Sequence, residues 1–350
     1  MRRVSVLVGL LVASTALGPW FGAVAQQPAA TPGPAASPEV TRLLAEFVAE
    51  ITLGTDLSSA AAGMAVADDG AVYVIDSLND LIQVFGRGGL TSTGPRGASV
   101  ATWGESGDAP GQFRFSMGHP YWGDLAFGPD GNLYVLDPFN SRIQVFGSDG
   151  TYPREWGEPG SGEGQFDEPS GIGIDDAGRV YVAETGNRRL QIFGSDGQFI
   201  AVWEPSEAEG GPFLDPADVA VDAAGIVSVT DFDKNRIFRF DAQGTVIDIF
   251  GELGWRPGQL FQPWGAAVDA QGNLYVAEYG NSRVQGFAPD RTSLGTVGSF
   301  GDQPGEFNGA NFLTIGPDGL LYVADEANRR VQVFRLLPPL STAQGTPVAA

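Results

Sequence analysis

The groups in this chain that could do chemistry fall into two sets, one recurrent and one irregular. LYVADEANRRVQVF (321–334) holds Asp325, Asn328 and Arg330 in a polar hinge between two apolar runs. An acid, an Asn and an Arg return at the same spacing as Asp137/Asn140/Arg142, Glu184/Asn187/Arg189 and Glu278/Asn281/Arg283. Such trios could form a ring of charge around a polar ligand. They could equally close turns through backbone bonds and pair with one another. Catalysis does not call for one constellation several times over, so the hinge reads as stitching.

The irregular set is His119, Tyr121, Trp122, Asp124, Asp215, Asp218, Trp264, Asn311 and Phe312. Aromatic rings beside acids suit a sugar, a cationic ligand or a peptide. Asp124, Asp218 and Asn311 together offer the oxygen ligands that Ca²⁺ takes. His119 is the single histidine, there is no cysteine, and no GxSxG, His-rich cluster or phosphate loop is present. No residue is therefore assigned as catalytic.

Both sets need a frame, and the chain supplies it by repetition. The acids Asp76, Asp137, Glu184, Asp231, Glu278 and Asp325 head six units, the last four intervals being 47 residues and the first 61. In every unit a Gly stands six residues before the acid, a Val two before and a Phe nine after. The third unit divides by alternation and turn residues into GIGID (171–175), RVYVAE (179–184), RLQIF (189–193) and QFIAVW (198–203), with tight turns between. Each unit is thus a four-stranded antiparallel meander. A lone sheet of that size cannot bury both faces, whereas units stacked around an axis can.

The fold class expected is all-β: a six-bladed β-propeller. Small first strands (GAAVD, GIGID, DVAVD) suit the crowded centre, and the recurrent Phe together with Trp156, Trp203 and Phe250 suits the wider gaps between blades. The sixth unit lacks a fourth strand, and EFVAEITLG (46–54) precedes the first. The N-terminal segment is expected to join the last blade and zip the ring shut.

Outside the repeats, residues 1–25 read as a cleaved export signal: an Arg pair, an apolar run shorter than a bilayer span, and Ala23-Val24-Ala25. Residues 26–43 form a Pro/Ala-rich linker, 44–337 the propeller and 338–350 a tail, linker and tail both expected to be disordered. The Gly-rich stretch 87–99 is an insertion in the first interval. Formal net charge is −22, or −24 without the leader, and Lys234 is the only lysine. That surface repels phosphate backbones and disfavours nucleic acid, while favouring cationic partners.

With these residues in hand, the chain resembles the NHL-repeat family of six-bladed propellers. The resemblance rests on GNLYVAEYGNSRVQGF (272–287), GLLYVADEANRRVQVF (319–334) and the preceding GSGEGQFDEPSGI (160–172). It implies protein- or RNA-binding propellers, extracellular sensor domains and a few lyases, with calcium-dependent lactonases among related propellers. The family's amidating lyases use several histidines around zinc, a set that His119 alone does not supply. Leu81 in the Arg position, and Lys234 and Ser228 in the Asn and Tyr positions, mark units 1 and 4 as variants.

The leading expectation is an exported, secreted or cell-surface monomer without a membrane span after cleavage. It would act without a cofactor as a binding scaffold for a protein, peptide or glycan. The site would lie on the rim of the inner-strand entry loops, with Tyr121, Trp122, Trp264 and Phe312 as an exposed aromatic patch. The alternative is a Ca²⁺-assisted lactonase, hydrolase or lyase using Asp124, Asp218 and Asn311.

Overall fold

A computed structural model describes residues 44–53, 59–86, 99–116, 123–147 and 150–338. The leader, linker, insertion residues 87–98, His119, Tyr121, Trp122 and the tail beyond Pro338 lie outside the described residues. Among the described residues no helix is long and apolar enough to cross a membrane.

Six four-stranded antiparallel sheets form the blades of a propeller. The inner strands are Ala61–Val66, Asp124–Phe127, Pro169–Ile174, Pro216–Val221, Pro263–Val268 and Ala310–Ile315, for blades 1 to 6 in chain order. Blade 3 shows the pattern: Pro169–Ile174 pairs with Val180–Glu184, that strand with Arg189–Phe193, and the last with Phe199–Trp203. The second and third strands of this blade are buried at every residue because neighbouring blades cover both their faces. Only the outer strand alternates between burial and exposure.

The aromatic residues fill the gaps between blades, as their spacing predicts. Trp103, Trp156, Trp203 and Phe250 on the outer strands of blades 1 to 4 each meet the recurrent Phe of the next blade. The pairs are Trp103 with Phe146 at 6.2 Å, Trp156 with Phe193 at 6.0 Å, Trp203 with Phe240 at 5.4 Å and Phe250 with Phe287 at 5.2 Å. Blades diverge outward, so large rings at the circumference and Ala or Gly near the axis satisfy the same packing density.

Closure follows the expected route. The sixth blade is completed by Ala45–Thr52, which runs antiparallel to Arg330–Leu336 with Ala45 opposite Leu336 and Thr52 opposite Arg330. The first and last described strands therefore share one sheet, and the ring is held by main-chain hydrogen bonds instead of a covalent link.

Candidate functional site

The start of each inner strand lies beside the hinge acid at the end of the second: Ala61 faces Asp76, Pro169 Glu184, Pro216 Asp231, Pro263 Glu278 and Ala310 Asp325. Hinges and entry loops thus occupy one rim. The inner strands line a central channel of about 250 Å³, running from Asp124 and Asp218 to the strand ends at Phe127, Ile174, Val221 and Val268.

The recurrent hinge groups are all engaged within the protein. In blade 3, Arg189 Nε donates to Glu184 Oε1 at 2.7 Å, and its two terminal nitrogens donate to the carbonyls of Ser161, Gly162 and Gln165 in the loop entering that blade. Asn187 Nδ2 bridges Glu184 and the Gly160 carbonyl. Arg142, Arg283 and Arg330 repeat the arrangement on their own entry loops, and Arg142 and Arg330 add Glu155 and Glu50 from the outer strands. The hinge is a clamp that holds the blade-entry loop, in agreement with its structural reading.

Sequence reasoning did not single out the glutamine seven residues after the acid. Gln191 Nε2 donates to Glu184 and to the Gln165 carbonyl, while its Oε1 accepts from the Gly164 amide. Gln144, Gln285 and Gln332 do the same, so the clamp is a quartet. Only its regular spacing behind the acid could have flagged it. Blade 1, with Leu81 in place of Arg, holds buried Asp76 through the Ala60 amide, Asn79 and Gln83.

Of the irregular residues, Asp124 and Asp218 are brought together at the channel. They occupy the same register position in blades 2 and 4. Asp124 Oδ1 accepts from the Leu125 amide at 2.8 Å, and its Oδ2 from Ile172 of blade 3 at 3.1 Å. Asp218 repeats this with Val219 at 2.7 Å and Ala266 of blade 5 at 2.8 Å. Each acid therefore ties its blade to the next.

Burial pushes both acids above the usual carboxylate range, Asp218 to about 7 and Asp124 well upward, with the charge of Asp218 adding to the rise on Asp124. The backbone amides oppose the shift without cancelling it. Both carboxyls line the same channel, and each is held by backbone amides of its own and the following blade.

The other irregular residues stand elsewhere. Asn311 comes one residue earlier in the repeat; its Oδ1 accepts from the Phe312 amide at 2.8 Å and its Nδ2 reaches the Ala61 carbonyl of blade 1 at 3.4 Å. Asn311 is thereby tied to its own strand and to blade 1. Asp215 accepts from the Thr185 hydroxyl at 2.8 Å, and burial raises its pKa to about 6 against that bond.

The expected exposed aromatic patch needs correction. Phe312 is buried in the core, and Trp264 is half-buried, packed 5.1 Å from Phe232 and 6.1 Å from Phe312. Both rings fill space between blades 4, 5 and 6. Spacing alone could not tell a ring directed at a neighbouring blade from one directed at solvent.

Comparison with known proteins agrees with the architecture. The NHL repeat matches residues 166–193, 262–287 and 307–334, which fall in blades 3, 5 and 6. No curated protein sequence matches the chain. Among solved structures, virginiamycin B lyase from Staphylococcus aureus is 17% identical over 82% of this chain and 98% of its own, with a TM-score of 0.55. A catalytically inactive histidine-to-alanine form of that lyase with quinupristin is 13% identical over 82% and 98%, TM-score 0.54. A structural genomics protein from Bacteroides thetaiotaomicron is 14% identical over 84% and 76%, TM-score 0.59. At these identities the likeness is one of fold.

Proposed function

From the premise that this chain carries NHL repeats in a six-bladed propeller, we propose that it is an exported, non-catalytic binding scaffold for a protein, peptide or glycan. The observation that carries the reading is the engagement of its chemistry-bearing groups. The hinge arginines end on backbone carbonyls, and the channel acids end on backbone amides of adjacent blades. Groups held in this way keep a ring rigid, and a rigid ring presents its irregular loops to a partner. The leader-like residues 1–25 support an extracytoplasmic setting, in which a chain without cysteine holds together without disulfides.

A metal-assisted lyase or hydrolase is the second reading, favoured by one observation: two buried carboxyls, Asp124 and Asp218, line the channel. The lyase of similar fold has a catalytically inactive histidine-to-alanine form, whereas this chain has one histidine, His119. The two readings separate in the metal content of purified residues 26–350 and in a calcium titration of its melting temperature. The scaffold reading expects no bound ion, a flat titration and no lactone or ester turnover. One ion per chain, with a calcium response that Asp124→Ala removes and a lactone that is hydrolysed, would replace it with the enzyme.

A further inference from the structure

The loops entering blades 2, 3, 5 and 6 share a pattern: an aromatic residue or Val, then Gly, then a polar residue, with Gly-Gln-Phe or a close variant several residues on. Two of the positions at which they vary set the loops into blades 5 and 6 apart. The first is Ser106, Pro159, Leu253 or Phe300; the second is Asp108, Ser161, Trp255 or Asp302. Large apolar residues thus enter only on the loops into blades 5 and 6. They are not drawn into the core: Leu253 is 63% exposed, Trp255 70% and Phe300 74%.

Trp255 and Phe300 flank a cleft of about 510 Å³ with Asn281, Arg283 and the strand end Thr296–Ser299 as its other walls. The loops bearing the rings are held firmly. Arg283 Nη1 donates to the Trp255 carbonyl at 2.6 Å, Asn281 Nδ2 to the Gly254 carbonyl at 2.9 Å, and the Phe307 amide to the Ser299 carbonyl at 2.8 Å. Exposed rings on a clamped backbone form a preorganised surface, because little ordering entropy remains to be lost on binding.

Charge selects the partner. Arg283 is neutralised by Glu278 at 2.6 Å beneath the cleft. The two loops carry Glu252, Asp302 and Glu306 against the single exposed Arg256, within a chain of net charge −22. An aromatic cleft on loops that carry net negative charge matches a guanidinium or ammonium that can lie over a ring face.

We propose that this cleft docks a basic peptide segment, with an arginine or lysine side chain between Trp255 and Phe300. The inference deepens the scaffold reading and rests on it. The test is titration of purified residues 26–350 with a hexa-arginine peptide, a hexaglycine peptide and the neutral glycan cellohexaose, at low and moderate salt. The variants are Trp255→Ala, Phe300→Ala and the pair Glu252→Gln/Asp302→Asn, all at exposed positions, with melting temperature as the control for folding. Hexa-arginine is expected to bind and hexaglycine not to. Each aromatic variant should weaken binding tenfold or more, and the acid pair severalfold, with melting unchanged.

Hexa-arginine bound equally by wild type and both aromatic variants would show nonspecific attraction to an acidic surface and overturn the cleft, as would no binding at all. Cellohexaose bound in preference, and lost in Trp255→Ala, would overturn the basic peptide in favour of a glycan. None of these results touches the scaffold reading, which stands or falls on metal content and turnover.

Discussion

A β-carbon added to Gly171 would stand 2.6 Å from the α-carbon of Asp218 and 2.6 Å from its Oδ1. Gly63 has the same relation to Asp124, at 2.4 Å from its α-carbon. The bare glycines of blades 3 and 1 are what allow the acids of the following blades to approach the axis. Gly171→Ala must push two inner strands apart, and overpacking of this kind costs about 1 to 3 kcal/mol. The urea midpoint should fall accordingly, and an unchanged midpoint would mean that the strands separate freely.

The Asp124 and Asp218 pair sets a pH dependence of known sign. A carboxyl whose pKa is raised on folding keeps its proton in the folded state where the unfolded chain has lost it. Stability from this source is therefore full below the ordinary value of 3.8 and declines as pH rises towards about 7. Melting temperature should fall between pH 4 and 7, and Asp218→Asn should flatten that slope. An identical slope in the variant would remove the pair as its cause.

Arg189 makes a buried ion pair and three carbonyl contacts, so its loss leaves both Glu184 and the entry loop of blade 3 without their partner. Arg189→Leu should cost about 3 to 5 kcal/mol. Arg189→Lys should recover little, since an ammonium cannot reproduce the planar fork. Chemical denaturation of the two variants checks this, and full recovery by lysine would reduce the clamp to simple charge pairing.

Ring closure depends on Ala45–Thr52 and on Glu50 accepting from Arg330 at 3.0 Å. A chain beginning after residue 53 should expose the edge of Arg330–Leu336 and self-associate. A synthetic peptide spanning Leu44 to Leu53 should bind it and restore a monomeric, cooperative melt. A truncated protein that stays monomeric with an unaltered melt would show that the strand is dispensable.

Much of the frame was legible in the residues. The acid period, the missing last strand and the aromatic offsets each report a local preference that neighbouring units reinforce, so the propeller and its closure could be read directly. The candidate site was less legible. Asn311 and Asp124 differ by one position in the unit, and that step turns the Asn311 carboxamide towards Ala61 of blade 1. Phe312 and Trp255 are both aromatic departures from the repeat, yet Phe312 is 2% exposed and Trp255 70%.

Sequence by itself determined the repeat unit, the count of blades and the strand that closes them, because strand alternation and turn chemistry act over a few residues and recur six times. Only the tertiary structure decided which groups are engaged and which face solvent. Arg189 finds its carbonyls 24 to 28 residues upstream, and Asp124 finds its second amide on another blade. Such partners depend on the curvature of the closed ring, which sets distances between blades that no local spacing encodes.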